Sequence, residues 1–219
     1  MNAHTQRLLC PGPVGLIECA LDIPAASTAR RGVAVIAHPH PLFGGTMDNK
    51  VVQTVARALL QLGYSCVRFN FRGVGATEGK HAEGLGECED MLAVIAAHRM
   101  PNVPLVLAGF SFGAYVTTLA AEKLSGDDQA ERLILVGPST QRATPANVPA
   151  NTLVIHGETD EVVPLSATLN WARPQHLPVV VMPGVGHFFH GQLPQLRDVI
   201  VRSWHAPSQA LLASPLPPR

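Results

Sequence analysis

The sequence predicts an α/β fold in which a mainly parallel central sheet carries helices on both faces. Three observations predict it. Short apolar runs such as GVAVIA, VPLVLA and TLVI alternate with longer amphipathic stretches, the pattern of strands buried on both faces and joined by helical crossovers. The chain has 219 residues, enough for one domain with a substantial core and tight for two. Hydrophobic residues make up 47% and charged residues 15%, a balance that favours folding over disorder.

The elements follow in order. Residues 15–23 read as an extended leading strand and residues 32–37 as a short buried one. Residues 49–62 read as a helix with Val51, Val52, Val55, Ala56, Leu59 and Leu60 on one broad face, closed by Gly63 as a C-cap. A strand at 64–71 precedes a helix at 86–98, whose first turn holds Glu87, Glu89 and Asp90 where the helix dipole favours acids. A core strand at 103–108 leads directly into a helix at 112–123. Strands at 132–136 and 152–156, a helix at 165–175, a strand at 179–182 and a helix at 193–205 complete the series. One domain is expected over 1–219, with its core at about 15–205 and a proline-rich surface tail at 206–219 (APSQALLASPLPPR).

Lys plus Arg and Asp plus Glu each total 16, so the formal net charge is zero. That balance gives no electrostatic attraction to nucleic acid or to an acidic membrane. It also provides little colloidal repulsion, which leaves homo-oligomerisation open. Cys10, Cys19, Cys66 and Cys88 form no C-x-x-C pair and no zinc-ligand spacing, and read as ordinary thiols of a reducing compartment. The opening MNAHTQRLLCPGPVG has one basic residue and lacks the apolar core of a secretory signal. No run approaches the roughly 18 apolar residues of a membrane span. A soluble cytoplasmic protein is expected, with no cofactor and no metal.

Gly109-Phe110-Ser111-Phe112-Gly113 joins the strand VPLVLA to a helix containing Ala114, Val116, Leu119 and Ala120. A serine on a tight strand-to-helix turn takes strained backbone angles that project its hydroxyl clear of the sheet. Glycines two residues to either side let strand and helix approach closely. The pentapeptide alone is a weak signal, since a turn serine also serves as a helix cap; the flanking strand and helix give it meaning.

In this setting the chain, from about residue 15 to 205, resembles the α/β-hydrolase superfamily, and within it the lidless serine esterases and dienelactone-hydrolase-like members. The resemblance implies the α/β-hydrolase fold and a triad in the order Ser, acid, His. Ser111 is then the nucleophile. His156-Gly157-Glu158-Thr159-Asp160-Glu161-Val162-Val163-Pro164 looks like the family's H-G-x-x-D-x-x-V-P loop and places the acid at Asp160, with Glu158 and Glu161 as rivals. Gly184-Val185-Gly186-His187-Phe188 looks like its histidine loop and places the general base at His187, with His190 as a rival. His38-Pro39-His40-Pro41 stands where the family has H-G-x-P, so the N–H groups of His40 and Phe112 form the implied oxyanion hole. Pro39 departs from the usual glycine and keeps Leu42 as a second donor candidate; Pro41 has no N–H. His38 and His40 lack the carboxylate or cysteine company of a metal site, and Gly44-Gly45 is not followed by the Lys-Ser/Thr of a phosphate loop. Phe69-Asn70-Phe71-Arg72-Gly73-Val74-Gly75 resembles the family's F-D-x-R-G-x-G loop, with Asn70 in place of Asp and a structural role for Arg72.

A lid, where the family has one, enters between the strand ending near Gly137 and the strand at Thr152. Only about 13 residues (139–151) separate them, so no lid domain is expected. Leu42, Phe43, Phe110, Val162 and Phe188 are expected to wall an open apolar pocket. Together these features point to a serine hydrolase that cleaves a carboxylic ester of a small substrate by an acyl-enzyme route. Amide, thioester and lactone hydrolysis use the same triad, and a non-catalytic binding module on the same fold is a rival of another class. A serine at position 111 argues against dehalogenases and epoxide hydrolases, which need a carboxylate there, and against dienelactone hydrolases, which use cysteine.

Overall fold

The computed structural model describes residues 5–141 and 143–204; the expected proline-rich tail lies outside them. The chain runs β1 (Gln6–Gly12), β2 (Gly15–Asp22), β3 (Gly32–Ala37), α1 (Lys50–Gln61), β4 (Tyr64–Phe69), α2 (Leu85–His98), β5 (Leu105–Phe110), α3 (Phe112–Lys123), β6 (Arg132–Val136), β7 (Leu153–Gly157), α4 (Leu165–Ala172), β8 (Val179–Met182) and α5 (Leu193–Trp204). The eight strands form one sheet in the order β1-β2-β4-β3-β5-β6-β7-β8. The β1–β2 and β2–β4 pairs are antiparallel and the others parallel.

The period-2 geometry of strands divides the core in two. On β3, Val33, Val35 and Ala37 belong to a cluster with Met91, Val94, Val116 and Ala120 of α2 and α3. Ala34 and Ile36 belong to the opposite cluster, with Val52, Val55 and Leu59 of α1 and Leu196 and Ile200 of α5. Helices on both faces are what the continuous apolar runs predicted.

One strand departs from the expectation. The sheet begins at Gln6, nine residues before the expected core. In β1 only Cys10 is buried, because the strand sits at the sheet edge, so it has little hydrophobic alternation. Pro11 is tolerated there because an edge strand has one unpaired side. Two expected elements also end early. The strand at 64 stops at Phe69, and the helix at 165 stops at Ala172, where Pro174 helps tighten the chain into a short 3₁₀ turn, Arg173–Gln175. Residues 137–152, between β6 and β7, hold no helix or strand among the described residues, in keeping with the absence of a lid. No helix of the described residues is long and apolar enough to cross a membrane.

The loop after β4 is anchored by buried polar groups. Arg72 donates from Nε and Nη2 to the two carboxylate oxygens of Asp90 at 2.9 and 2.7 Å, and its backbone N–H also reaches Asp90 at 3.2 Å. Asp90 is fully buried on α2. Asn70 donates from Nδ2 to Glu18 at 2.8 Å and accepts from the Met47 N–H at 2.9 Å. An aspartate at 70 would face the Glu18 carboxylate instead, which accounts for asparagine in this chain. Asp90→Asn leaves the buried guanidinium with only the exposed Glu89 carboxylate, at 3.6 Å, as counter-charge. It is expected to cost about 3–5 kcal/mol of stability, read from chemical denaturation midpoints.

Candidate active site

Ser111 stands between β5 and α3 with φ 56° and ψ −117°. This left-handed conformation for a non-glycine residue costs on the order of 1–3 kcal/mol and is held by its surroundings. The Ser111 N–H donates to Val136 O at 2.9 Å, and its carbonyl accepts from Ala114, Tyr115 and Ser139. The two flanking glycines are required by close approach. A Cβ on Gly109 would lie 2.3 Å from Gly113 O, and one on Gly113 would lie 2.4 Å from His38 O. The spacing in the sequence is thus the footprint of strand, helix and the β3 loop meeting at one point.

The loops after β7 and β8 complete a hydrogen-bonded series. His187 Nε2 lies 3.0 Å from Ser111 Oγ, and His187 Nδ1 lies 2.7 Å from Asp160 Oδ2. The other oxygen, Asp160 Oδ1, accepts from the N–H groups of Val162 and Val163 at 2.9 and 2.7 Å. Burial pushes the Asp160 carboxyl up, but hydrogen bonds from His187 and the two N–H groups outweigh burial and hold it below the ordinary carboxylate range. Asp160 is therefore ionised beside the imidazole. All three residues are buried. The rivals lie elsewhere: Glu158 Oε2 accepts from Gly184 N–H at 2.8 Å, Glu161 faces Gly186, and the His190 ring meets that of Phe188.

His156 was singled out by the sequence only as the start of a motif, yet it also meets the acid. Its Nε2 donates to Val163 O at 2.9 Å and lies 3.4 Å from Asp160 Oδ2. Burial lowers its pKa, so a neutral ring supports the Asp160 loop.

The loop after β3 forms the facing wall. Pro41–Phe43 is a single 3₁₀ turn capped by His40, whose carbonyl accepts from Phe43 and Gly45 N–H. A Cβ on Gly45 would sit 2.0 Å from Pro39 O, so the tight return needs glycine. Leu42 N–H donates to the ring of its neighbour, His40 Nδ1, at 3.3 Å. Phe112 opens α3, in the first turn, where backbone N–H groups have no partner inside the helix. The rings of His40 and Phe112 lie 4.7 Å apart, so the β3 loop packs against the start of α3.

His38 fastens this wall to the β4 loop. Its Nδ1 donates to Pro39 O at 2.6 Å and its Nε2 accepts from Phe71 N–H at 3.0 Å. The ring must be neutral to do both, and burial lowers its pKa from 6.5 to about 4. The unfolded chain takes up this proton below pH 6.5 and the folded one only near 4. The stability is thus complete above pH 6.5 and is lost as the pH falls to about 4, by on the order of 3 kcal/mol. Denaturation midpoints measured across this window should fall less steeply for His38→Gln than for the parent.

A pocket of about 340 Å³ opens over Ser111. Phe43, Phe112, Val162, Val163 and Phe188 form its apolar walls, with His40, Asn49, Ser139 and Gln141 as its polar lining. Three of the five expected pocket residues line it: Phe43, Val162 and Phe188. Leu42 is 68% exposed and outside the lining, because the 3₁₀ turn points it to solvent. Phe110 is fully buried in the core of the α1/α5 face, where its ring meets that of His187 at 5.0 Å between centroids. It supports the imidazole from beneath. Asn49 and Gln141 escaped sequence reasoning because no motif marks them.

Comparison with known proteins agrees with this architecture. The family profile described as "Serine aminopeptidase, S33" matches residues 29–150, and the chain belongs to the α/β-hydrolase family. A solved α/β serine hydrolase homologue from Coxiella burnetii is 40% identical, with a TM-score of 0.81 over 90% of this chain and 96% of that one. A lidless α/β serine hydrolase from Xanthomonas campestris is also 40% identical, with a TM-score of 0.83 over 95% and 98%. A curated relative, an uncharacterized protein of Rickettsia prowazekii, is 40% identical over 108 residues. That match spans 48% of this chain and 44% of the relative, less than half of its length.

Proposed function

We propose that the protein is a serine hydrolase that cleaves carboxylic esters of small substrates. One observation carries the reading: the Ser111–His187–Asp160 series opens directly onto a pocket with apolar walls. Ser111 Oγ attacks the ester carbonyl while His187 Nε2 takes its proton. The N–H groups of His40 and Phe112 receive the oxygen as negative charge develops. His187 then protonates the departing alcohol, leaving an acyl group on Ser111. Water, activated by the same imidazole, attacks the acyl-enzyme and releases the acid. Asp160 holds the Nδ1–H tautomer and stabilises the imidazolium without taking the proton.

The family profile's description raises an amide alternative. A substrate with a free α-ammonium group needs a carboxylate to meet it, and none of the described residues lining the pocket is acidic. The neutral, apolar walls favour an uncharged ester. The purified protein should turn over short-chain p-nitrophenyl esters, with lower kcat/KM for long-chain ones, because about 340 Å³ accommodates a small acyl group. No hydrolysis above buffer across the acyl-length series would overturn the esterase reading. Faster cleavage of aminoacyl anilides than of esters would transfer it to amides.

A further inference from the structure

Away from the pocket, three potential ligands of a soft cation converge at the edge of the sheet. Cys10 lies on β1, Cys19 on β2 and His98 at the last position of α2. The hairpin register pairs Cys10 with Ile17 and Leu8 with Cys19. Cys10 and Cys19 are therefore diagonal neighbours on the same face, the face against which α2 packs. Their Sγ atoms are 3.6 Å apart, and the ligand atoms of all three residues lie within 4.8 Å of one another. His98 Nε2 is buried and makes no hydrogen bond, an arrangement that is costly unless something binds the atom.

We propose that Cys10, Cys19 and His98 bind a single Zn²⁺ ion. Two sulfurs on a tetrahedral zinc, each about 2.3 Å from it, stand about 3.8 Å apart, close to the observed 3.6 Å. A disulfide fits less well. Diagonal pairs have Cα atoms about 7–8 Å apart, at or beyond the roughly 7 Å limit for bridging without backbone movement. Charge selects the ion. Binding releases both thiol protons, and two thiolates with one divalent cation are neutral, which lowers the cost of burying the charges. A monovalent cation would leave a buried negative charge.

Three protein ligands leave the fourth tetrahedral position to water. Bound zinc would tie the β1–β2 hairpin to the end of α2. None of the three ligands lines the pocket over Ser111, so the ion would take no part in the proposed ester cleavage.

The test uses the full-length reduced protein, titrated with Zn²⁺ against a chromophoric chelator and with Co²⁺ as a spectroscopic probe. One Zn²⁺ per chain is expected. Co²⁺ should give thiolate-to-metal charge-transfer absorption and the visible bands of tetrahedral coordination. His98→Gln should weaken binding by roughly tenfold or more. The double variant Cys10→Ser/Cys19→Ser should lose it, and Cys66→Ser should retain it, since Cys66 belongs to the opposite core. In the parent protein, Zn²⁺ should protect Cys10 and Cys19 from alkylation, a reading that stands even if the double variant does not fold. Substoichiometric uptake, no cobalt–thiolate absorption, or undiminished affinity in His98→Gln would overturn the site. So would a Cys10–Cys19 disulfide forming in a protein whose reduced form takes no zinc. Ser111→Ala should bind zinc like the parent, so this result is separable from the hydrolase reading.

Discussion

Ser111→Ala is expected to lower kcat/KM for a short-chain p-nitrophenyl ester by roughly 10⁴-fold or more, with little change in stability. The variant loses one oxygen, and with it the only atom that Nε2 of His187 contacts at 3.0 Å on this residue. The fold should tolerate the change. Alanine meets the same φ of 56° that serine already endures, so the backbone strain is neither relieved nor increased. Residual hydrolysis should come from the His40 and Phe112 N–H groups, which still face the carbonyl oxygen in the proposed mechanism. Initial rates at matched concentrations of parent and variant, with denaturation midpoints alongside, check both halves. Activity within tenfold of the parent would mean that another nucleophile operates.

Asp160→Asn is expected to cost about 10⁴-fold in kcat while leaving KM nearly unchanged. Here the reason is the direction of one hydrogen bond. Asp160 Oδ1 is fixed by the Val162 and Val163 N–H groups, so the asparagine must place its carbonyl oxygen there. Its NH₂ then occupies the Oδ2 position and donates to His187 Nδ1. That forces the proton of the neutral imidazole onto Nε2, which can no longer accept the Ser111 proton. Geometry survives and chemistry fails. Steady-state kinetics that showed a rise in KM with kcat unchanged would instead assign Asp160 to substrate binding.

The difference between what the sequence revealed and what it concealed has a physical origin. The segments at Ser111, Asp160 and His187 were legible because each must satisfy local constraints. Gly109 and Gly113 answer to backbone atoms that a Cβ would strike, and Asp160 caps its own loop through residues two and three positions on. Such constraints leave a fixed spacing in the chain. The pocket was less legible because side-chain direction depends on turn geometry. Leu42 and Phe43 are neighbours and both are exposed on the 3₁₀ turn, yet only Phe43 borders the pocket. Phe110, next to Ser111, points into the core because successive strand residues alternate. Strand β1 was hidden by its edge position, which leaves it little to bury. The contact of His156 with Asp160 depends on the curl of their shared loop, and one between distant segments left no local trace: His98 meets Cys10 and Cys19 only after α2 packs on the hairpin.

The most direct measurement of the central claim is the site of covalent capture by a fluorophosphonate. After incubation of the native protein, peptide mass spectrometry should find one adduct per chain, on Ser111, and heat-unfolded protein should show none. Such a result would place an activated nucleophile where Ser111, His187 and Asp160 meet. No adduct on the folded protein, or an adduct on a residue other than Ser111, would contradict the account.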